Sequence, residues 1–493
     1  MKHAKKLASL LLALVMVFAL TTTAFADETT YTITAPENGH TYEVYQIFTG
    51  DLYDGVLSNV KWGKNGTGTE GEAVPEAILK ELEATVGTDT AKLTVITKYV
   101  DLNSASYNTV VGGTPLTGVP AGYYLIKDVD GALAGQNDSY TTYIVEVVQD
   151  VTINPKSDVP EVVKKVKDTN DSTGVTSDWQ DSADHDIGDS VPFQLKATLA
   201  DNVSAYYSYK VVFHDTLSAG LTYNNDAKVT FGANDVTSHF EINEENGVLT
   251  ISCDNVKEFG ATDSSVIIVE YTATLNENAV IGSAGNPNTV KLDYSNNPNW
   301  KPGEGEGPED SPKGTTPEDT VIVFTFKTVV NKVTENPDYD PDVEGSEKFI
   351  PLKGAGFTLY KKNASGVYEA VGSELKGDDM TTFTWSGLDD GDYKLVETTT
   401  PAGYNTIADI EFTITAEHQV LSDNPTLISL GGGDKFTGEV STGAVSADIE
   451  NKAGTTLPET GGIGTTIFYI LGSVLLVGAA VLLITKKRMS AEK

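Results

Sequence analysis

The sequence predicts an all-β fold, with β-sandwich domains in tandem. Three observations carry that expectation. Runs of Val, Ile, Thr, Tyr and Phe alternate with polar residues at period two, as in Tyr143-Ile144-Val145-Glu146-Val147-Val148, Val266-Ile267-Ile268-Val269-Glu270-Tyr271 and Asp409-Ile410-Glu411-Phe412-Thr413-Ile414. Gly, Asn and Asp turns break those runs at short intervals. Between the two ends no stretch reads as a long amphipathic helix, and the best helical candidate is short, around Pro75 to Ala84. With 493 residues the chain has room for two to four domains of ordinary size.

Both ends carry targeting patterns that stand apart from the fold. Lys2, Lys5 and Lys6 form a basic start, Leu7 to Leu20 is apolar, and Ala24-Phe25-Ala26 supplies small residues for cleavage. This predicts a signal peptide over 1–26 and a mature chain from Asp27. An uncleaved helix is disfavoured because the run is shorter than the roughly 20 residues that cross a bilayer. Ile463 to Ile484 is uncharged and long enough to span, and Lys486, Lys487 and Arg488 follow at once. That asymmetry puts the tail in the cytoplasm and the rest of the chain outside.

Lys and Arg number 34 against 70 Asp and Glu, a formal net charge of −36. Such a surface repels phosphate backbones, which excludes nucleic acid as a partner. Cys253 is the only cysteine, so no disulfide can form within the chain, and its alternating strand context reads as core. The six histidines are scattered. No nucleophile–histidine pair or metal-ligand cluster emerges, and His214 beside Asp215 reads as a strand neighbour. The acidic stretch Asn336-Pro337-Asp338-Tyr339-Asp340-Pro341-Asp342 reads as solvated turns. Neither a cofactor nor a metal is expected, and the chain is not read as an enzyme.

Two stretches interrupt the strand pattern. Asn154-Pro155-Lys156-Ser157-Asp158-Val159-Pro160 holds two prolines, and Asn296 to Glu318 is rich in Pro, Gly and Glu. They divide the mature chain into units at 27–156, 157–300 and 319–455, with a linker over 301–318 and a terminal signal over 456–493. Pro120-Ala121-Gly122-Tyr123 and Pro401-Ala402-Gly403-Tyr404 suggest a relation between the outer units.

Leu457-Pro458-Glu459-Thr460-Gly461 lies immediately before the spanning segment, on its outer side. Pro458 stiffens the chain and pushes Leu457 into extended conformations, as a transpeptidase substrate requires. Gly461 leaves room for a nucleophile to reach the Thr460 carbonyl. The arrangement resembles the cell-wall sorting signal of Gram-positive surface proteins, which sortases cleave between the residues matching Thr460 and Gly461.

In the third unit, Tyr393-Lys394-Leu395-Val396-Glu397-Thr398-Thr399-Thr400-Pro401-Ala402-Gly403-Tyr404 resembles the E-box of collagen-adhesin B-type domains. Alternation puts Glu397 on the face of Tyr393 and Leu395, towards an apolar core. Burial favours the neutral form of a carboxylic acid, which can donate a hydrogen bond. Lys332 shares a face with Phe324, Phe326 and Val330, and Asn451 with Val445, Ala447 and Ile449. A lysine on the first strand, an acid mid-domain and an asparagine on the last strand resemble the residues that form intramolecular isopeptide bonds in Gram-positive pilins and adhesins. The resemblance implies that a neutral Lys332 amine attacks the Asn451 amide while Glu397 shuttles protons and ammonia leaves. Folding supplies the proximity.

The second unit repeats the pattern less distinctly. Lys164 shares a face with Val162 and Val166, Asp215 with Val211 and Phe213, and Asn288 with Val290, Leu292 and Tyr294. These segments resemble the fimbrial D2 domain, in which an aspartate can take the acid's role, and Lys165 and Asn296 stand as competing assignments. The first unit has Ile126 and Lys127 in the stretch after its Ala-Gly-Tyr, so no bond is expected there.

Asn154-Pro155-Lys156 resembles the pilin motif of sortase-assembled shaft subunits, whose common form has Tyr where Asn154 stands. The resemblance implies that a pilin sortase joins Thr460 of one subunit to Lys156 of the next, giving a covalent homopolymer of immunoglobulin-like sandwiches on the cell wall. It implies sortase, identical subunits and peptidoglycan as partners, with accessory pilins and host or matrix ligands as further ones. The competing readings are a monomeric wall-anchored adhesin that binds a host ligand, and a minor pilin at the base or tip.

Overall fold

The computed structural model of the chain describes residues 30–85, 95–153, 158–300 and 312–454, with scattered positions between 471 and 481. The expected signal peptide, Lys156 and the Leu457–Gly461 motif lie outside the described residues. Among the described residues no helix is long and apolar enough to cross a membrane. Most of the expected span over Ile463–Ile484 also lies outside them.

The first unit is built on Thr41–Tyr53, which pairs with Val56–Trp62, Gly122–Asp128 and Asn108–Val111, while Thr142–Val147 extends the sheet beyond Gly122–Asp128. Every residue of Gly122–Asp128 is buried, so the sheet is covered on both faces. One face gathers Phe48, Trp62 and Tyr123 under Ile78, Leu79 and Leu82 of the helix Glu76–Ala84. The other packs Tyr42, Val44 and Tyr124 against Ile33 and Val119 of a small three-stranded sheet. Pro75, with its fixed φ, precedes the helix where the expected candidate began.

The middle unit is a sandwich. One sheet carries Val211–Leu217 between Val248–Cys253 and Asn286–Ser295. The facing sheet carries Ser190–Thr198 between Val266–Leu275 and Glu161–Val166. The third unit is a second sandwich, with Phe326–Glu335 parallel to Ala444–Glu450 in one sheet and Gly356–Lys362, Gly391–Thr399 and Ile410–His418 in the other. Each has its own apolar core.

Two details differ from the sequence expectation. Lys313–Thr315 and Asp319–Phe324 both pair with Asn286–Ser295, so the end of the supposed linker and the start of the supposed third unit belong to the middle sheet. Pro and Gly content masked strands this short, and Val321 and Val323 face the middle core. The similarity of the two Pro-Ala-Gly-Tyr segments is not structural. Gly122 opens a strand, whereas Gly403 lies in a turn after a strand, at φ +86°.

The middle and third units meet in a polar junction. Lys361 reaches Asp171 at 2.8 Å, Asp186 at 2.7 Å and Asp389 at 3.4 Å. Burial opposes its charge, but Asp389 and Asp186 outweigh that and raise its pKa. Beside it, His418 faces Asp184 at 3.4 Å and Asp168 at 3.7 Å. Burial opposes protonation of this ring too, yet the two carboxylates hold its pKa up at about 9. Burial and the charge of Asp184 push Asp390 up to about 7.

Both values stand above those of the free side chains, so the stabilisation is full in acid and is lost as pH rises. For Asp390 it is spent by about 7, and for His418 it falls between 6.5 and about 9. The junction should therefore loosen when pH is raised from near neutral to above about 9. Small-angle scattering of the ectodomain should show greater interdomain flexibility, reduced in response by His418→Phe. Superimposable profiles for the wild type at the two pH values would rule this out.

Candidate functional site

In the third unit, Phe326–Glu335 is buried at alternate positions, which turns Lys332 into the core with Phe326 and Val330. The parallel strand Ala444–Glu450 runs beside it, and pairing of Lys332 with Ile449 brings the next residues, Glu450 and Asn451, alongside Val333. The Asn451 N–H closes that register on the Val333 carbonyl at 3.0 Å. Glu397 comes from the facing sheet. Lys332 Nζ donates to Asn451 Oδ1 and lies 3.2 Å from Glu397 Oε1, while Asn451 Nδ2 donates to the same carboxylate oxygen at 2.9 Å. Glu397 Oε2 accepts from the Ile407 N–H at 3.1 Å, which fixes the carboxyl plane. The Phe357 ring lies 5.3 Å from Nζ.

In the middle unit, Lys164 is fully buried on the inward face of Glu161–Val166, with Val162 and Val166. It reaches across the sandwich to Asp215 Oδ1 at 2.6 Å. Asp215 pairs with Val290 in the neighbouring strand, so Asn288 is its diagonal neighbour on the same face. The lysine and the amide are linked through a residue that the sequence reading did not select. Tyr271 OH lies 3.0 Å from Lys164 Nζ, accepts from Asn288 Nδ2 at 2.8 Å, and donates to Asp215 Oδ2. Alternation in Val266–Leu275 held the available signal, because Tyr271 points inward with Ile267 and Val269 and a buried phenol needs a hydrogen-bond partner.

Burial lowers the pKa of both amines despite the opposing pull of nearby acids, Asp215 and Asp319 for Lys164 and Glu397 for Lys332. Each site thus favours a neutral amine beside a primary amide, in reach of a carboxyl that can move protons. The competing residues have other partners. Lys165 pairs with Asp181, and Asn296 donates to the Leu133 carbonyl at 3.1 Å at the junction with the first unit. In the first unit Lys127 pairs with Glu43 at 3.0 Å and Asp130 at 2.7 Å. His214 points away from Asp215 and bonds Asp293 at 3.2 Å. Cys253 is buried, and desolvation pushes its thiol up to about 11. The Asn336–Asp342 loop makes local turns, such as Asp338 N–H to Asn336 Oδ1 at 3.1 Å.

Three family models match along the chain, and the Cna-B-like one falls on the middle unit rather than on the third, where the collagen-adhesin B-type resemblance was read. Residues 187–298 match the model of Gram-positive pilin backbone subunit 2, Cna-B-like domain. Residues 344–425 match a prealbumin-like fold domain, and 449–490 match the LPXTG cell wall anchor motif. The chain is a Gram-positive backbone pilin.

The pilin is 25% identical over 402 residues to the trypsin-resistant surface T6 protein of Streptococcus pyogenes serotype M6, covering 68% of this chain and 70% of that one. The structure of the T6 backbone pilin, described as a modular three-domain protein, aligns at TM-score 0.53 with 18% identity, over 86% of this chain and 98% of that one. That likeness is one of fold. The pilin is a structural subunit and a sortase substrate, anchored at the Gram-positive cell wall.

Removing the acid should leave amine and amide in place without a route for protons. An intact-mass measurement should find the Glu397→Ala ectodomain heavier than the wild type by one ammonia, after allowance for the substitution. Equal ammonia loss in the two proteins would remove Glu397 from the reaction.

Proposed function

We propose that this pilin forms the shaft of a fibre in which Thr460 of one copy is joined to Lys156 of the next, and in which each copy carries Lys164–Asn288 and Lys332–Asn451 isopeptide bonds. The observation that supports this reading best is the pair of buried lysine–acid–asparagine sites, set in series between the two proposed linkage points. Lys164 follows Lys156 by eight residues, and Asn451 precedes Thr460 by nine. Tension entering at Lys156 meets the first cross-link almost at once and leaves shortly after the second. The first unit hangs outside that path, free to carry contacts with accessory pilins or host ligands.

Residues 289–331 lie between the two cross-links and carry the tension along the backbone. They include Asp319–Phe324, which is held only by hydrogen bonds and packing. Limited peeling of that strand is one extension that the intact subunit allows. Opening the third unit is a much larger event, since 119 residues separate Lys332 from Asn451. At about 3.4 Å per residue, a Lys332→Ala subunit pulled from its ends should give roughly 400 Å of additional contour length. Force spectroscopy that shows the same contour length for both proteins would contradict the series arrangement.

The fibre linkage is tested on cells. Detergent-boiled wall extracts should give a high-mass ladder with the wild-type gene that collapses with Lys156→Ala. A ladder in both moves the acceptor lysine elsewhere, and a single band in both favours the wall-anchored adhesin.

A further inference from the structure

We infer that Tyr271 is a catalytic proton relay in the middle unit, which makes up for the short reach of Asp215. The inference rests on the proposed Lys164–Asn288 bond and adds a residue to its chemistry.

The two sites solve one problem with different parts. In the third unit a single oxygen, Glu397 Oε1, lies 3.2 Å from the amine and 2.9 Å from the amide nitrogen. One carboxyl can therefore take a proton from one nitrogen and deliver one to the other. Asp215 is one methylene shorter. Its Oδ1 meets the amine at 2.6 Å, but its Oδ2 meets the Tyr271 hydroxyl, and that hydroxyl meets Asn288 Nδ2 at 2.8 Å. Asn288 Oδ1 is buried and has no hydrogen-bond partner among the described residues. The Tyr271 hydroxyl is thus the polar contact through which a proton can reach this amide. Tyr271 is itself held by stacking on Phe193, with ring centroids 5.4 Å apart.

The steps balance without an external reagent. Lys164 first gives a proton to the Tyr271 oxygen while Tyr271 gives its own to Asp215 Oδ2, leaving a neutral amine and an acid protonated on the oxygen that faces Tyr271. The amine attacks Asn288 Cγ, and the N–C bond forms as the carbonyl π pair moves to oxygen. Asp215 donates to the Tyr271 oxygen while Tyr271 gives its own proton to the amide nitrogen. As the carbonyl re-forms, the C–Nδ2 bond breaks and ammonia leaves. The carboxylate then recovers the extra proton from Lys164 Nζ. The products are one amide bond, one ammonia, and Asp215 and Tyr271 in the states in which they began the attack.

Tyr271→Phe keeps the ring and removes the relay. Bond formation is followed by intact mass and by the cross-linked peptide that joins Lys164 to Asn288, with the third-unit bond as an internal control. The expected result is loss of the third-unit ammonia as in the wild type and a middle-unit bond slowed at least about 100-fold, the scale of general acid–base assistance. A middle bond formed at the wild-type rate overturns the relay. Absence of the middle bond from the wild type overturns the underlying reading instead. Thiol labelling of buried Cys253 reports whether the middle core has folded. If the Tyr271→Phe substitution exposes that thiol, the decision passes to 3-fluorotyrosine at position 271, which retains ring and hydroxyl. A shifted pH profile of bond formation supports the relay, and an unchanged profile overturns it.

Discussion

A lysine amine inside an apolar sandwich has lost the water that would keep it charged, and much of this pilin's architecture can be understood as what is needed to place it there. Lys164 and Lys332 are both fully buried. An ion pair would recover only part of the lost hydration, because two desolvated charges rarely gain enough from each other. The proposed condensation with an amide would remove the difficulty, since it replaces an amine whose charge burial disfavours with a neutral, hydrogen-bonding linkage. The requirement on the fold is strict. An amine, an amide and an acid must converge from three separate strands or their ends, and in the middle and third units the two sheets of the sandwich supply them from opposite sides. A cross-link that closes a loop of more than a hundred residues restricts the unfolded chain by about 5 kcal/mol, by analogy with disulfides.

Burial alone does not decide the state of a lysine, as Lys361 demonstrates. It is buried too, but it faces Asp171, Asp186 and Asp389 at once, and these hold it charged. The difference lies in the number of carboxylates within reach. One acid in contact with the amine and a second farther off leave desolvation in control at Lys164 and Lys332. Three reverse the balance, and the lysine becomes an electrostatic clamp between domains. The same residue type is therefore held in two ways along a single chain, with its charge disfavoured inside domains and with its charge favoured between them.

Much of this was legible without coordinates. Period-two alternation identified the strands around Lys332, Glu397 and Asn451, because an inward side chain in a strand is fixed by parity. The same parity separated Lys164 from Lys165 as faces, but left either open as a candidate until the partners were known. Sequence pattern went wrong where local composition outweighed pairing. Asp319–Phe324 looked like the opening of a new domain, but its hydrogen-bond partners, Asn286–Ser295, precede a stretch rich in Pro and Gly. The repeated Pro-Ala-Gly-Tyr was similarly misleading, since four residues can serve a strand entry in one place and a turn in another.

Properties that depend on order along the chain are settled before folding is considered. These are the β class, the secreted and wall-anchored fate, the terminal sorting signal and the inward parity of the lysines, acids and asparagines. Each is written in composition or spacing. Which of those inward groups meet is settled by packing in three dimensions. Packing brought Tyr271 between Lys164 and Asn288, sent Asn296 to the junction with the first unit, and gathered Asp168, Asp184, Lys361, Asp389 and His418 from two domains into one junction. Parity says that a side chain faces a core, but only sheet pairing and the packing of one sheet on another set which side chain it faces there.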